Sequence, residues 1–192
     1  LSRYLENAVP VFSGVAGFLD PSADVQTFLY DRLANLLREQ GWTAQEVDAV
    51  LALSPQILAD VPRRLEAVRA FAALPEAAAL AAANKRVGNI LRKSEGAKHG
   101  SGFNVKLLIE PAEIALSQAL NAVAPQVQQL YAAGDYTAAL KMLAALKVPV
   151  DTFFDQVMVN AEDPALRANR LALLARLQEA MNQVADLSRL AA

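Results

Sequence analysis

Cysteine is absent from the 192 residues, which excludes disulfides and thiolate metal sites and fits a reducing compartment such as the cytoplasm. The single histidine, His99, has no second ligand near it and reads as a surface residue rather than part of a metal site. Aromatic residues make up 6% of a chain that is 54% hydrophobic, so the core has to be aliphatic. No stretch alternates β-branched with polar residues, which leaves no signal for strands. No apolar run approaches the ~18 uncharged residues of a membrane span, so no membrane partner is indicated. A net charge of −2 argues against strong, non-specific nucleic-acid binding, and no DNA partner is indicated. No secretory signal is visible, and a chain that opens at Leu1 instead of methionine reads as a piece of a longer protein.

Alanine and leucine are abundant instead, and both are good helix formers. Residues 1–24 mix apolar side chains with Pro10, Gly14 and Gly17 and are set apart as an N-terminal segment, a short helix and loop or the tail of a preceding domain. Residues 25–192 form the domain proper. Val25 to Gln40 predicts a helix with Phe28, Leu29, Leu33, Leu36 and Leu37 on one face and Gly41 as its C′ residue. Thr43 and Glu46 have capping-box spacing. Asp60 and Pro62 suit the start of the next helix, and Glu76 to Ser94 forms another. Residues 95–104, EGAKHGSGFN, predict an exposed, mobile loop. Pro111 opens a helix that Pro125 should kink or divide. Asp135, then Pro149 with Asp151, then Asp163-Pro164 open three more, the last running to about Leu190. The expectation is an all-α fold, a compact bundle of about eight helices.

Charge is distributed unevenly. Residues 1–62 hold three Lys/Arg against eight Asp/Glu, whereas residues 63–98 hold eight against three. The basic middle centres on AAANKRVGNILRK, residues 81–93. Ala83, Val87, Ile90 and Leu91 form an apolar stripe at helical spacing, and Asn84, Lys85, Arg86, Asn89, Arg92 and Lys93 are assigned to the opposite face. Such a donor-rich face either is simply solvated or meets an anionic partner. For single-stranded RNA, cations would hold phosphates while Asn84 and Asn89 reach base edges. With few aromatics to stack on, Arg86, Arg32 or Tyr30 would have to serve as the platform.

No catalytic constellation stands out. Glu110 and Glu113 flank Pro111 at a helix start, where carboxylates favour the positive dipole end. Met142, Met158 and Met181 read as core fillers, and Trp42 as a packed loop anchor. A second stretch runs from Asp151 to Leu177. Phe153, Phe154, Val157 and Met158 form its apolar stripe, and Arg167 and Arg170 face Asp151, Asp155 and Asn160 across a helix–turn–helix corner that such charges would fix.

Five segments, FLYDRLANLLREQG (28–41), PEAAALAAANKRVGNILRK (75–93), EPAEIALSQAL (110–120), GDYTAALKMLAALKVPVDTFFDQVMVN (134–160) and DPALRANRLALLARL (163–177), together resemble the C-terminal region of the β subunit of bacterial tetrameric glycyl-tRNA synthetase. Similar stretches occur in the DALR-type anticodon-binding domain of arginyl-tRNA synthetase. The resemblance covers most of residues 25–190. It implies an all-α domain that binds the anticodon stem-loop of glycine tRNA and works beside an α subunit and the rest of the β subunit in an α2β2 ligase. It also implies that ATP and Mg are used on the α subunit, so that this piece carries no cofactor and no catalysis of its own. A subunit-docking bundle with incidental RNA contact is the competing reading.

Overall fold

The computed structural model describes the backbone of residues 2–191 apart from 13, 16, 18 and 95–102, with side chains from residue 7 onward. His99 and most of the predicted glycine-bearing loop lie outside the described residues. Among the described residues nine α-helices run in order: α1 (Ser2–Phe12), α2 (Ser22–Glu39), α3 (Ala44–Leu51), α4 (Val61–Ala72), α5 (Ala77–Ser94), α6 (Pro111–Ala132), α7 (Tyr136–Met142), α8 (Lys147–Gln156) and α9 (Pro164–Met181). Short 3-10 turns occupy Leu58–Asp60, Val105–Leu107, Leu143–Leu146 and Leu187–Leu190. Among the described residues there is no strand, and no helix is long and apolar enough to cross a membrane.

The local signals set most of the helix ends. The Glu46 amide donates to Thr43 Oγ1 at 3.2 Å while the Thr43 amide donates to Glu46 Oε2 at 2.8 Å, a closed capping box. Glu46 also receives Arg69 through two bonds of 2.7 and 2.8 Å, and this guanidinium holds its carboxyl below the usual carboxylate range. Asp135 accepts the Ala138 amide and Asp163 accepts those of Ala165 and Leu166. At the end of α2, Gly41 takes φ +90°, its amide reaches the Arg38 carbonyl and that of Trp42 reaches Leu37, closing a Schellman motif.

Four expectations give way to tertiary structure. Asp60 makes no side-chain cap; it sits inside a 3-10 turn, and its Oδ2 accepts the Tyr136 hydroxyl at 3.0 Å. Pro125 does not divide α6, which runs unbroken through it. Pro125 and Asn121 are both exposed, so the carbonyl freed four residues back can be hydrated. The last long helix ends at Met181 and not near Leu190, and the chain turns at Asn182 so that Val184, Ala185 and Leu187 enter the core. On α2 only Leu37 of the predicted apolar face is buried, while Phe28 and Leu36 remain exposed.

The core lies where α4 packs on α7 and α3, α6 on α7, α8 and α9, and α5 on α9, α8 and the Leu187–Leu190 turn. It is aliphatic: of its buried described residues only Phe71, Phe153 and Tyr136 are aromatic. Helix α2 packs on α3 and α1, at the edge of this arrangement.

Candidate nucleic-acid interface

Helix α5 divides cleanly by angle. At ~100° per residue, Leu80, Val87 and Leu91 turn toward the core, and Ala78, Ala82, Lys85, Arg86, Asn89, Arg92 and Lys93 share the opposite sector and are all exposed. The first turns of that sector expose alanine; the last turns expose four cations and one amide. Gly88 falls at the boundary, where a Cβ would lie 3.1 Å from the Gln178 amide nitrogen, so glycine lets α9 approach closely.

Asn84 departs from its assignment. It is 0% exposed, and its Nδ2 donates to Asn182 Oδ1 at 2.7 Å. The same oxygen accepts the Leu187 amide at 3.2 Å. Asn84 thus ties α5 to the turn that ends α9, and it is not available to read a base. Its period already signalled this: Leu80, Asn84, Val87 and Leu91 follow the i, i+4, i+7, i+11 rule of one buried stripe. Asn84→Ala should cost about 1–3 kcal/mol, since the Asn182 oxygen loses a buried donor. Chemical denaturation checks this; an unchanged midpoint would show that the amide pair carries no stability.

The other candidates fall into two flanks. Lys85, Asn89 and Arg92 border a cleft of about 600 Å³ against the end of α9 and the Leu187–Leu190 turn. There the Arg92 guanidinium donates to Asn89 Oδ1, and neighbouring Arg189 is engaged by Asp186 at 3.3 Å. Arg86 and Lys93 border a second cleft against the α8–α9 corner. Among the described residues Arg86 has no acid within ion-pair distance; its guanidinium lies 4.2 Å from the centre of the Phe154 ring. Arg32 is not part of this arrangement. It sits on α2, 5.2 Å over Phe28. Tyr30, also on α2, is half-buried with its hydroxyl donating to the Pro55 carbonyl at 2.9 Å.

At the α8–α9 corner Arg170 is structural, as read, but its partner is not an acid of α8. Its Nε donates to Glu113 Oε1 at 2.6 Å and its Nη1 to the Met158 carbonyl at 2.7 Å. Asp151 instead pairs with Lys147 at 2.9 Å. Met158 is not a core filler. Helix α8 ends at Gln156, Val157 is extended, and the helical period no longer applies, so Met158 turns outward and is 73% exposed. Ile90, placed in the buried stripe, is half-buried at the edge of this cleft.

Comparison with known proteins gives this helical domain a family. Residues 80–188 match the DALR anticodon binding domain, and the chain belongs to that family. The match takes in every candidate except Arg32 and Tyr30. Among individual proteins the chain is similar to glycine–tRNA ligase β subunits. It is 62% identical over all 192 residues to that of Methylobacillus flagellatus and 65% identical over 192 to that of Delftia acidovorans, 27% of the length of each. It is 68% identical to that of Janthinobacterium sp. over 165 residues, 86% of this chain and 23% of that one. The chain therefore spans about a quarter of the length of these relatives.

Proposed function

We propose that this chain is the anticodon-binding portion of a glycine–tRNA ligase β subunit and that the exposed face of α5 grips the anticodon stem-loop of glycine tRNA. The observation that carries the reading is the single exposed sector holding Lys85, Arg86, Asn89, Arg92 and Lys93, inside the segment that matches an anticodon-binding family. Phosphates need cations, and loop bases need amide and guanidinium groups beside them; this sector supplies both. The chain takes no chemical step. Glycine activation with ATP and Mg belongs to the α subunit of a cytoplasmic α2β2 assembly. Lys85→Ala, Arg92→Ala and Lys93→Ala, made singly, should each weaken binding of the glycine tRNA anticodon arm several-fold with the helical circular dichroism unchanged. Asn89→Ala should penalise the cognate loop more than a scrambled one. Affinities equal to the unmodified protein in all four variants would remove α5 from the interface.

A second contact follows from the edge formed by α1 and α2. Val11, Val15, Leu19, Phe28 and Leu36 are exposed on and around α1 and α2, and the relatives are several times longer than this chain. We infer that the remainder of the β subunit covers this apolar edge. Hydrogen exchange tests it: amides of α2 should exchange more slowly in a full-length β subunit than in the 192-residue chain. Equal rates in both would leave the edge without that partner.

A further inference from the structure

The cleft between α5 and the α8–α9 corner has a composition the rest of the α5 face lacks. Arg86 and Lys93 stand seven residues apart on α5, two turns along one side. Arg167 faces them from the second turn of α9, where Asp163 caps the helix, and Phe154 rises from the last turn of α8. Phe154 is fixed from behind by Phe153, edge-on with centroids 5.6 Å apart. It holds the Arg86 guanidinium on one side. Arg86 itself remains exposed to solvent.

Charge separates this cleft from its neighbour. Across α5, acids meet the cations: Asp186 holds Arg189, and Asp48 holds Arg38. Here, among the described residues, three cations line the cleft with one carboxylate, Asp155. Among the described residues no acid lies within ion-pair distance of Lys93 or Arg167, although Arg167 is half-buried. Its guanidinium, with no counter-charge among the described residues, can accept an anion. The walls also offer the outward Met158 and the Asn160 amide, an apolar surface beside a group that both donates and accepts. The volume, about 770 Å³, falls in the ~300–1,000 Å³ range of sites that enclose a small ligand.

Resting on the anticodon-binding reading above, we propose that this cleft takes one unstacked nucleotide of an RNA loop, its base against the Arg86 plane and Met158 and its phosphate between Lys93 and Arg167. Stacking on a guanidinium and bonding to the base edge are how single-stranded RNA is read. The exposed sector of α5 would then hold the backbone, and this cleft would count one base.

The test uses the 192-residue chain and the anticodon-arm hairpin of glycine tRNA, with an abasic site placed at each loop position in turn. Anisotropy at fixed salt should reveal one position whose abasic form binds about tenfold more weakly, the size expected for one lost base stack. Arg167→Gln and Phe154→Leu should bind the intact hairpin about tenfold more weakly and no longer distinguish that abasic form. Both side chains lie outside the fully buried set, and circular dichroism verifies the fold of each variant. If Arg167→Gln and Phe154→Leu keep the discrimination while Lys85→Ala and Arg92→Ala weaken every hairpin alike, the cleft proposal falls and the α5 reading stands. If the unmodified chain binds no hairpin at low salt, both fall together.

Discussion

Glu113→Ala should destabilise the chain by about 3–5 kcal/mol, the usual result of removing one partner from a buried ion pair. Glu113 is 0% exposed and the Arg170 side chain 5%. One carboxylate oxygen takes Arg170, and the other takes the amides of Ile109 and Glu110 at 3.0 and 2.9 Å. Its loss leaves a guanidinium buried without a counter-charge and two helix-start donors without an acceptor. Since a domain of this kind is stable by only ~5–15 kcal/mol, the variant should melt far earlier or fail to fold. The informative comparison is Glu113→Leu with Arg170→Met. Removing both charges should cost markedly less than the two single changes summed, because neither leaves the other stranded. Guanidinium denaturation followed by circular dichroism reads all of these. A loss below ~1 kcal/mol for Glu113→Ala would mean that the pair is solvated and replaceable.

The pair also shows where reading a sequence stops. Glu113 was legible as a carboxylate at a helix start, because dipole and cap are local rules. Its partner, 57 residues away, was not, since nothing in either segment specifies which elements meet. Arg170 was accordingly matched to the acids of its own corner. The same division runs through the fold. Thr43 with Glu46, Asp135, Asp163 and Gly41 announced their helix ends through contacts spanning a few residues. The end of α9 was hidden, because its stop is Asn182, held by Asn84 from 98 residues away. Apolar residues continue past that point to Leu190 and mimic a helical stripe.

Within the candidate site, periodicity assigned the exposed cations of α5 correctly to one face, and it would have withdrawn Asn84 had residue type not outweighed position. The α8–α9 cleft was harder to see. Its phenylalanine was read as core, its Arg167 as a corner clasp and its Met158 as a filler. The Met158 reading assumed that α8 keeps its period beyond Gln156, whereas the backbone turns extended at Val157.

Replacing Lys85, Arg86, Arg92 and Lys93 together by alanine should remove most of the salt dependence of tRNA binding. Each phosphate contact contributes about 0.7 to the logarithmic salt slope on single strands and about 0.9 on duplex, so four contacts across a stem-loop give about 2.8–3.6. Raising salt from ~50 to ~200 mM should therefore weaken the unmodified protein by about 10²-fold more than the fourfold variant. All four side chains are exposed, so the fold should survive. Arg86 is the exception to watch, because it leaves the Phe154 ring uncovered and forfeits a contact worth about 0.5–1 kcal/mol at exposed sites. Comparing the fourfold variant with one that keeps Arg86 separates that packing loss from lost phosphate contacts. An apolar docking face such as the α1–α2 edge would show little salt response and none of this change. A fourfold variant whose salt slope matches the unmodified protein would show that the phosphates lie elsewhere, and the basic sector of α5 would be a solvated helix face.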